Sequence, residues 1–218
     1  SDKGCDAYQQ FLPKLLEILN DAPEVERAMD KFIEGQDWLV WQLTGAERRS
    51  NCGAGYKGTW SKKHGFPSDH FLKSLHPRLP FILREKVGEK FYPPGTPAGG
   101  LTEKWARLTG LKEGTPVGVS IIDAHAAVIG AGVSEPNEMM LCMGTSTCHL
   151  MLSEEGKSVS GISGIVEDGI LPGFFAYEAG QAAVGDIFGW FLKSAWPGSG
   201  PKDAQKMFAK LEGEAARL

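Results

Sequence analysis

"VGVSIIDAHAAVIGAG", residues 117–132, decides how the chain is read. An apolar run rich in β-branched residues ends at Asp123, and a run of small residues follows. "TPVGVSII" (115–122) therefore predicts a buried strand, and "DAHAAVIGAG" (123–132) a helix beginning where it ends. Strand followed by helix is the repeating unit of α/β folds, whose ligands bind beyond the carboxyl ends of the strands. Asp123 stands at that junction. Its carboxylate can cap the free N–H groups of the helix, or it can serve as a general base towards a ligand in the crevice. His125 follows two residues later. Residues i and i+2 of a helix do not face each other, which argues against joint chelation of a metal by this pair. His125 reads as a packed side chain.

Before this stretch the pattern is mostly helical. "FLPKLLEILND" (11–21) has helical apolar spacing, and "DAPEVERAMDKFIEG" (21–35) predicts a helix from Pro23 to a stop at Gly35. "DWLVWQLTG" (37–45) predicts a short apolar helix with Asp37 as N-cap and Gly45 as stop. "NCGAGYKGTW" (51–60) reads as a glycine-rich loop of the kind that carries function. "PSDHFLKSLHP" (67–77) predicts a helix between prolines, "YPPGTPAGG" (92–100) reads as irregular, and "LTEKWARLTG" (101–110) predicts a helix from Thr102 to Gly110.

After residue 132 the pattern turns to strands. "VSEPNE" (133–138) is polar and turn-rich, the best candidate for a domain boundary. "MMLCMG" and "STCHLML" predict a hairpin closed by a Gly-Thr-Ser turn. "GISGIVEDGILPGFFAYEAG" (161–180) predicts two more strands with a turn at 167–169. "QAAVGDIFGWFLKSA" (181–195) predicts an amphipathic helix and "KDAQKMFAKLEGEAARL" (202–218) a polar one. The strands before residue 117 are too few for a self-contained sheet, so an α/β chain that is a piece of something larger is expected.

Composition narrows the class. Of the 218 residues 42% are hydrophobic and 23% charged, ordinary for a globular protein. The net charge of −4 and the lack of a basic block argue against a nucleic-acid partner. No apolar run approaches the ~20 residues that span a bilayer. "SDKGCDAYQQ" lacks the pattern of a signal peptide. Cys5, Cys52, Cys142 and Cys148 form no CxxC pair, so reduced thiols in a cytoplasmic protein are expected. Cys142 and Cys148 read as buried core thiols, with a disulfide as the lesser reading.

Three further sites carry chemistry. Gly144, Thr145, Ser146 and Thr147 make a turn whose N–H and hydroxyl groups can hold phosphate oxygens, or simply close a hairpin. Lys57 is either a solvated loop lysine or, among its aromatic neighbours, a cation reaching sugar hydroxyls. Glu178 ends the aromatic run "GFFAYEAG"; it can accept hydrogen bonds from a polyol or pair with an internal donor.

"DWLVWQLTG", "GAGYKGTW", "IIDAHAA", "MGTSTCHLML" and "YEAGQAAVGDIF" occur in that order. Together they resemble the FGGY family of sugar kinases over nearly the whole chain. "GTSTCHLML" and "YEAGQ" are most similar to the branch acting on L-ribulose in arabinose catabolism. The resemblance implies an actin-like, ribonuclease H-like ATPase fold of two domains around a cleft, present here incompletely. Residues 1–134 would be the C-terminal part of domain I, the sugar side, and residues 135–218 the N-terminal part of domain II, the ATP side. It implies ATP and Mg2+ as cofactors and phosphorylation of a ketopentose to its 5-phosphate. Asp123 matches the family's general base; Lys57, Asp123 and Glu178 match its sugar contacts; Gly144, Thr145 and Ser146 match its phosphate turn. No metal-ligating residue is implied. The family's acidic N-terminal phosphate loop and its C-terminal nucleotide segment have no counterpart here, so a fragment inactive by itself is expected. The partners expected are the sugar, ATP and a second copy of the chain, with no membrane or nucleic acid. Two alternatives stand beside this: a kinase for another ketose such as D-ribulose or xylulose, and a non-catalytic sugar-binding relative that keeps the fold.

Overall fold

The computed structural model describes residues 10–196 and 203–217. The chain opens with α1 (Phe11–Asp21), whose spacing buries Phe11, Leu12 and Leu15. α2 (Pro23–Ala28) starts on its proline but stops well short of Gly35. Met29 turns extended at φ −68°, ψ 117°. Met29 and Phe32 then pack on the core beneath α1, and Phe32 N–H donates to Lys86 O at 2.9 Å. Burial here overrides helix propensity. α3 (Gly35–Thr44) ends at Gly45, left-handed at φ 72°. Asp37 is not its N-cap; Glu34 holds that position.

A two-residue strand, β1 (Arg49–Ser50), leads into α4 (Asn51–Gly58). The glycine-rich "loop" is thus a helix, and two of its glycines serve close packing. A Cβ on Gly55 would lie 2.6 Å from Val166, and one on Gly58 2.0 Å from the Phe11 ring. α5 (Asp69–Leu75) is capped by Ser68, whose Oγ accepts from Phe71 N–H. α6 (Leu79–Ile82) continues as a wide turn over Leu83–Val87. Leu72, Leu79, Ile82 and Leu83 close with α1 the first hydrophobic core.

β2 (Phe91–Tyr92) pairs parallel with β1, and β3 (Pro97–Gly100) pairs antiparallel with β4 (Pro116–Gly118). "YPPGTPAGG" is therefore partly paired. Between β3 and β4 lies α7 (Glu103–Thr109), which ends at Gly110 with φ 75°. The strand expected over 115–122 shrinks to three residues, two exposed and one half-buried, and among the described residues β4 pairs with β3 alone. Residues 119–122 pass directly into α8 (Asp123–Gly130). Ile122 is its N-cap residue, so Asp123 sits at the first helical position and is not the cap.

The last part is a four-stranded antiparallel sheet of β5 (Met139–Met143), β6 (Thr147–Ser153), β7 (Gly164–Glu167) and β8 (Phe175–Gln181), in the order β5-β6-β8-β7. The register sets Leu152 opposite Ala176, Leu150 opposite Glu178 and Cys148 opposite Gly180. Side chains alternate, so these residues share one face. At one end of that face Leu150, Leu152, Val166 and Ala176 pack with Cys52, Tyr56 and Val128 into a second core. This core draws on both sides of residue 134. Tyr56 lies against Gly164, where a Cβ would come within 2.6 Å of its ring.

The β7–β8 connection spans Asp168 to Phe174, wider than expected, and Asp168 Oδ1 accepts from Gly173 N–H at 2.7 Å. Cys142 and Cys148 face each other across the hairpin as half-buried thiols, not buried core ones. Cys5 lies outside the described residues. α9 (Val184–Trp190) begins three residues late because β8 runs on to Gln181. A wide turn over Phe191–Ala195 extends it, and Ile187, Phe188 and Trp190 stay exposed. α10 (Ala204–Ala215) is capped by Asp203, which accepts from Gln205 N–H.

Candidate functional site

The other end of that sheet face opens into a cavity of about 210 Å3. α4 supplies Tyr56 and Lys57, α8 supplies Asp123 and His125, the β5–β6 hairpin supplies Ser146, and β8 supplies Glu178. Six of the residues singled out in the sequence, Lys57, Asp123, His125, Ser146, Thr147 and Glu178, thus line one space. Gly144 and Thr145 do not line it; they lie exposed at the tip of the same turn.

Each side chain is held locally. Lys57 Nζ pairs with Glu34 Oε2 at 2.9 Å, which ties α4 to the start of α3. It is a half-buried helical lysine, not a solvated loop one. Asp123 is exposed, and its Oδ1 accepts from Ala124 N–H at 2.9 Å. The hairpin turn is closed by Gly144 N–H donating to Ser146 O at 2.8 Å and backed by Gly185 N–H donating to Thr145 O at 3.1 Å. Thr145 and Ser146 are both exposed.

Burial holds the Tyr56 phenol well above its ordinary pKa and pushes the Cys52 thiol up to about 12. Tyr56 donates its O–H to Ala176 O at 2.7 Å. His125 is packed as expected, only 2% exposed, with its ring 4.2 Å from that of Tyr56. Its Nε2 lies 3.4 Å from Glu178 Oε2. The charge facing the cavity comes from one ammonium and two carboxylates, a set suited to hydroxyls that donate and accept.

Sequence reasoning missed the supporting role of two residues. Asp37 is 4% exposed and accepts from Ser50 N–H at 3.0 Å and from Ser120 Oγ–H at 2.5 Å, both at Oδ1. It joins the residue before α4 to the segment that enters Asp123. Burial raises its pKa from 3.8 to about 6, against its hydrogen bonds to Ser120 and Ser50. A carboxylate among the tryptophans of "DWLVWQLTG" was the available signal. Lys62 bridges Glu167 Oε1 at 2.9 Å and Asp168 Oδ2 at 2.7 Å, fastening the sheet to the segment after α4. Nothing in its own neighbourhood marked it.

Among the described residues no three His, Cys, Asp or Glu side chains gather as they would around a metal ion. Among the same residues no helix is long and apolar enough to cross a membrane.

Comparison with known proteins adds three findings. Residues 139–217 match the FGGY family of carbohydrate kinases, C-terminal domain. The chain is 48% identical over 202 residues to a ribulokinase of Bacillus licheniformis, covering 93% of this chain and 37% of that protein. It is 46% identical over 203 residues to a ribulokinase of Geobacillus thermodenitrificans, covering 93% of this chain and 36% of that protein. The chain therefore spans little more than a third of the length of these relatives. Among solved structures, a xylulose kinase from Rhodospirillum rubrum superimposes with a TM-score of 0.75 at 24% identity, covering 96% of this chain and 41% of that one. A gluconate kinase from Lactobacillus acidophilus gives 0.67 at 18% identity, covering 90% and 38%. The fold is thus part of the actin-like ATPase fold of these kinases.

Proposed function

Since the chain belongs to the FGGY family of carbohydrate kinases, whose C-terminal domain matches residues 139–217, we propose that it is the central part of an ATP-dependent ketopentose kinase. The sugar is L-ribulose and the product L-ribulose 5-phosphate. One observation carries this reading: Lys57, Asp123, Glu178 and Ser146 converge on a single cavity from α4, α8, β8 and the hairpin. The ribulokinase relatives support the choice of sugar.

Lys57 and Glu178 hold the sugar hydroxyls. Asp123 takes the proton of the terminal hydroxyl as that oxygen closes on the γ-phosphorus of ATP. Ser146 on the cavity wall, with Thr145 and Gly144 beside it, offers hydroxyl and backbone donors to the phosphate oxygens, and the exposed turn leaves room for them. Mg2+ carried by ATP neutralises charge on the transferring group. Phosphoryl transfer asks the protein mainly for positioning and charge stabilisation, which a base, a turn and sugar contacts supply. Residues 1–134 belong to the sugar-side domain and residues 135–218 to the ATP-side domain of a longer parent. Catalysis belongs to that parent, and the chain alone is inactive.

The test is a panel of pentuloses assayed with the full-length parent and ATP-Mg. L-Ribulose is expected to give the highest kcat/KM. Phosphorylation of no pentulose overturns the kinase reading, and a tenfold preference for D-ribulose or xylulose overturns the choice of sugar.

A further inference from the structure

His125 lines the cavity wall, and the reading above gives it no role. It is 2% exposed, and among the described residues neither ring nitrogen has a hydrogen-bond partner. Buried polar groups are seldom left so, because an unmade hydrogen bond there is costly. The ring cannot relieve this by turning to solvent. One side meets Tyr56 at 4.2 Å, and Tyr56 is itself fixed by its bond to Ala176 O. Nε2 stands 3.4 Å from Glu178 Oε2, near enough for attraction but short of a formed hydrogen bond. Glu178 is in the middle of the sheet, paired through β8 with Leu150 on one side and Gly164 on the other. Its backbone cannot shift without breaking two ladders, so only its side chain can close the gap.

We propose that His125 is the positioning residue of the sugar site. With its proton on Nε2 it closes on Glu178 when a ketose enters, and it fixes which lone pairs of that carboxylate face the sugar hydroxyls. The 3.4 Å gap is the open state of this contact. The sugar pulls Glu178 into line, and the hydrogen bond from His125 keeps it there. His125 thereby sets ketose affinity and selectivity between hydroxyl configurations, without touching the reacting atoms. A site built to pair each hydroxyl rejects an isomer strongly because its own polar groups are left unpaired.

This rests on the ketose-kinase reading, and the experiment separates the two. Binding of L-ribulose to the full-length parent is measured by calorimetry without ATP, alongside steady-state kinetics. His125→Leu is expected to weaken sugar binding at least tenfold, with kcat at saturating sugar within threefold and the KM for ATP unchanged. His125→Gln, whose amide nitrogen reaches the Nε2 position, is expected to bind within threefold of the parent. His125→Asn, whose amide reaches only the Nδ1 position, is expected to stay weak. In a Glu178→Gln background, His125→Leu is expected to cost little more. If the parent binds no pentulose, the kinase reading fails and takes this proposal with it. Should the parent bind L-ribulose while His125→Leu binds equally well, the proposal alone fails. Equal loss in the Gln and Asn variants, with matching falls in melting temperature, would assign His125 to packing instead.

Discussion

At the scale of single residues, the site depends on two aspartates with opposite surroundings. Asp123 is exposed, its carboxylate accepting from Ala124 N–H, and so stays accessible to a ligand hydroxyl. Replacing Asp123 with alanine in the parent is expected to lower sugar phosphorylation by ~10²–10⁴-fold, the usual contribution of a general base. A fall of less than tenfold would remove it from that role. Asp37 is buried, with a pKa raised from 3.8 to about 6. Between those values the folded chain binds more protons at this group than the unfolded chain, so its contribution to stability falls as pH rises through that window. Asp37→Asn keeps an acceptor for Ser50 and Ser120 but cannot titrate. Its melting temperature, measured in the parent from pH 4 to 7, is expected to decline less with rising pH than that of the unsubstituted protein. An identical pH profile would rule out Asp37 as the titrating group.

Among the elements, α4 is where sequence and structure part most clearly. Three glycines in eight residues, Gly53, Gly55 and Gly58, normally argue against a helix, each costing ~0.5–1 kcal/mol relative to alanine. Here Gly55 and Gly58 let Val166 and Phe11 approach closer than any side chain would allow. Gly58→Ala is accordingly expected to destabilise the protein by ~1–3 kcal/mol, as overpacking does. Gly213→Ala in α10, where a Cβ would meet nothing within 4 Å, is expected to stabilise by ~0.5–1 kcal/mol. Thermal melts of both variants check the opposite signs. The helices with amphipathic spacing, the stops at Gly45 and Gly110, and the β5–β6 hairpin were all legible because their signals are local. The end of α2, the single pairing of β4 and the helicity of α4 were not, because each is decided by a neighbour distant in sequence. The same holds within the site. Asp123, Lys57, Glu178 and Ser146 were legible as cavity residues by residue type and order, whereas Gly144 and Thr145 fall outside the cavity and Asp37 and Lys62 act through partners on other elements.

Over the whole molecule, apolar surface is unevenly covered. Met139, Leu141 and Met143 line the outer face of β5 and are exposed. Ile187, Phe188 and Trp190 on α9 are exposed as well. Soluble monomers rarely leave patches of this kind open. More than half of the length of the ribulokinase relatives lies outside the region matched here. The isolated chain is therefore expected to self-associate, as read by light scattering, whereas the full-length parent keeps a defined mass. A clean monomer with a sharp melting transition would show that these faces need no cover.

The pairing of β8 ties that economy of surface to chemistry. Ala176 and Glu178 lie on one face, the first under the core and the second in the cavity. A one-residue slip of β8 against its neighbours would swing Glu178 to the far side and drive Tyr177 into the place of Ala176. Such a misfolded molecule would lose both its core and the cavity carboxylate in one event. Hydrophobic packing thus proofreads the proposed sugar site: a chain with a misplaced carboxylate is also one too unstable to persist.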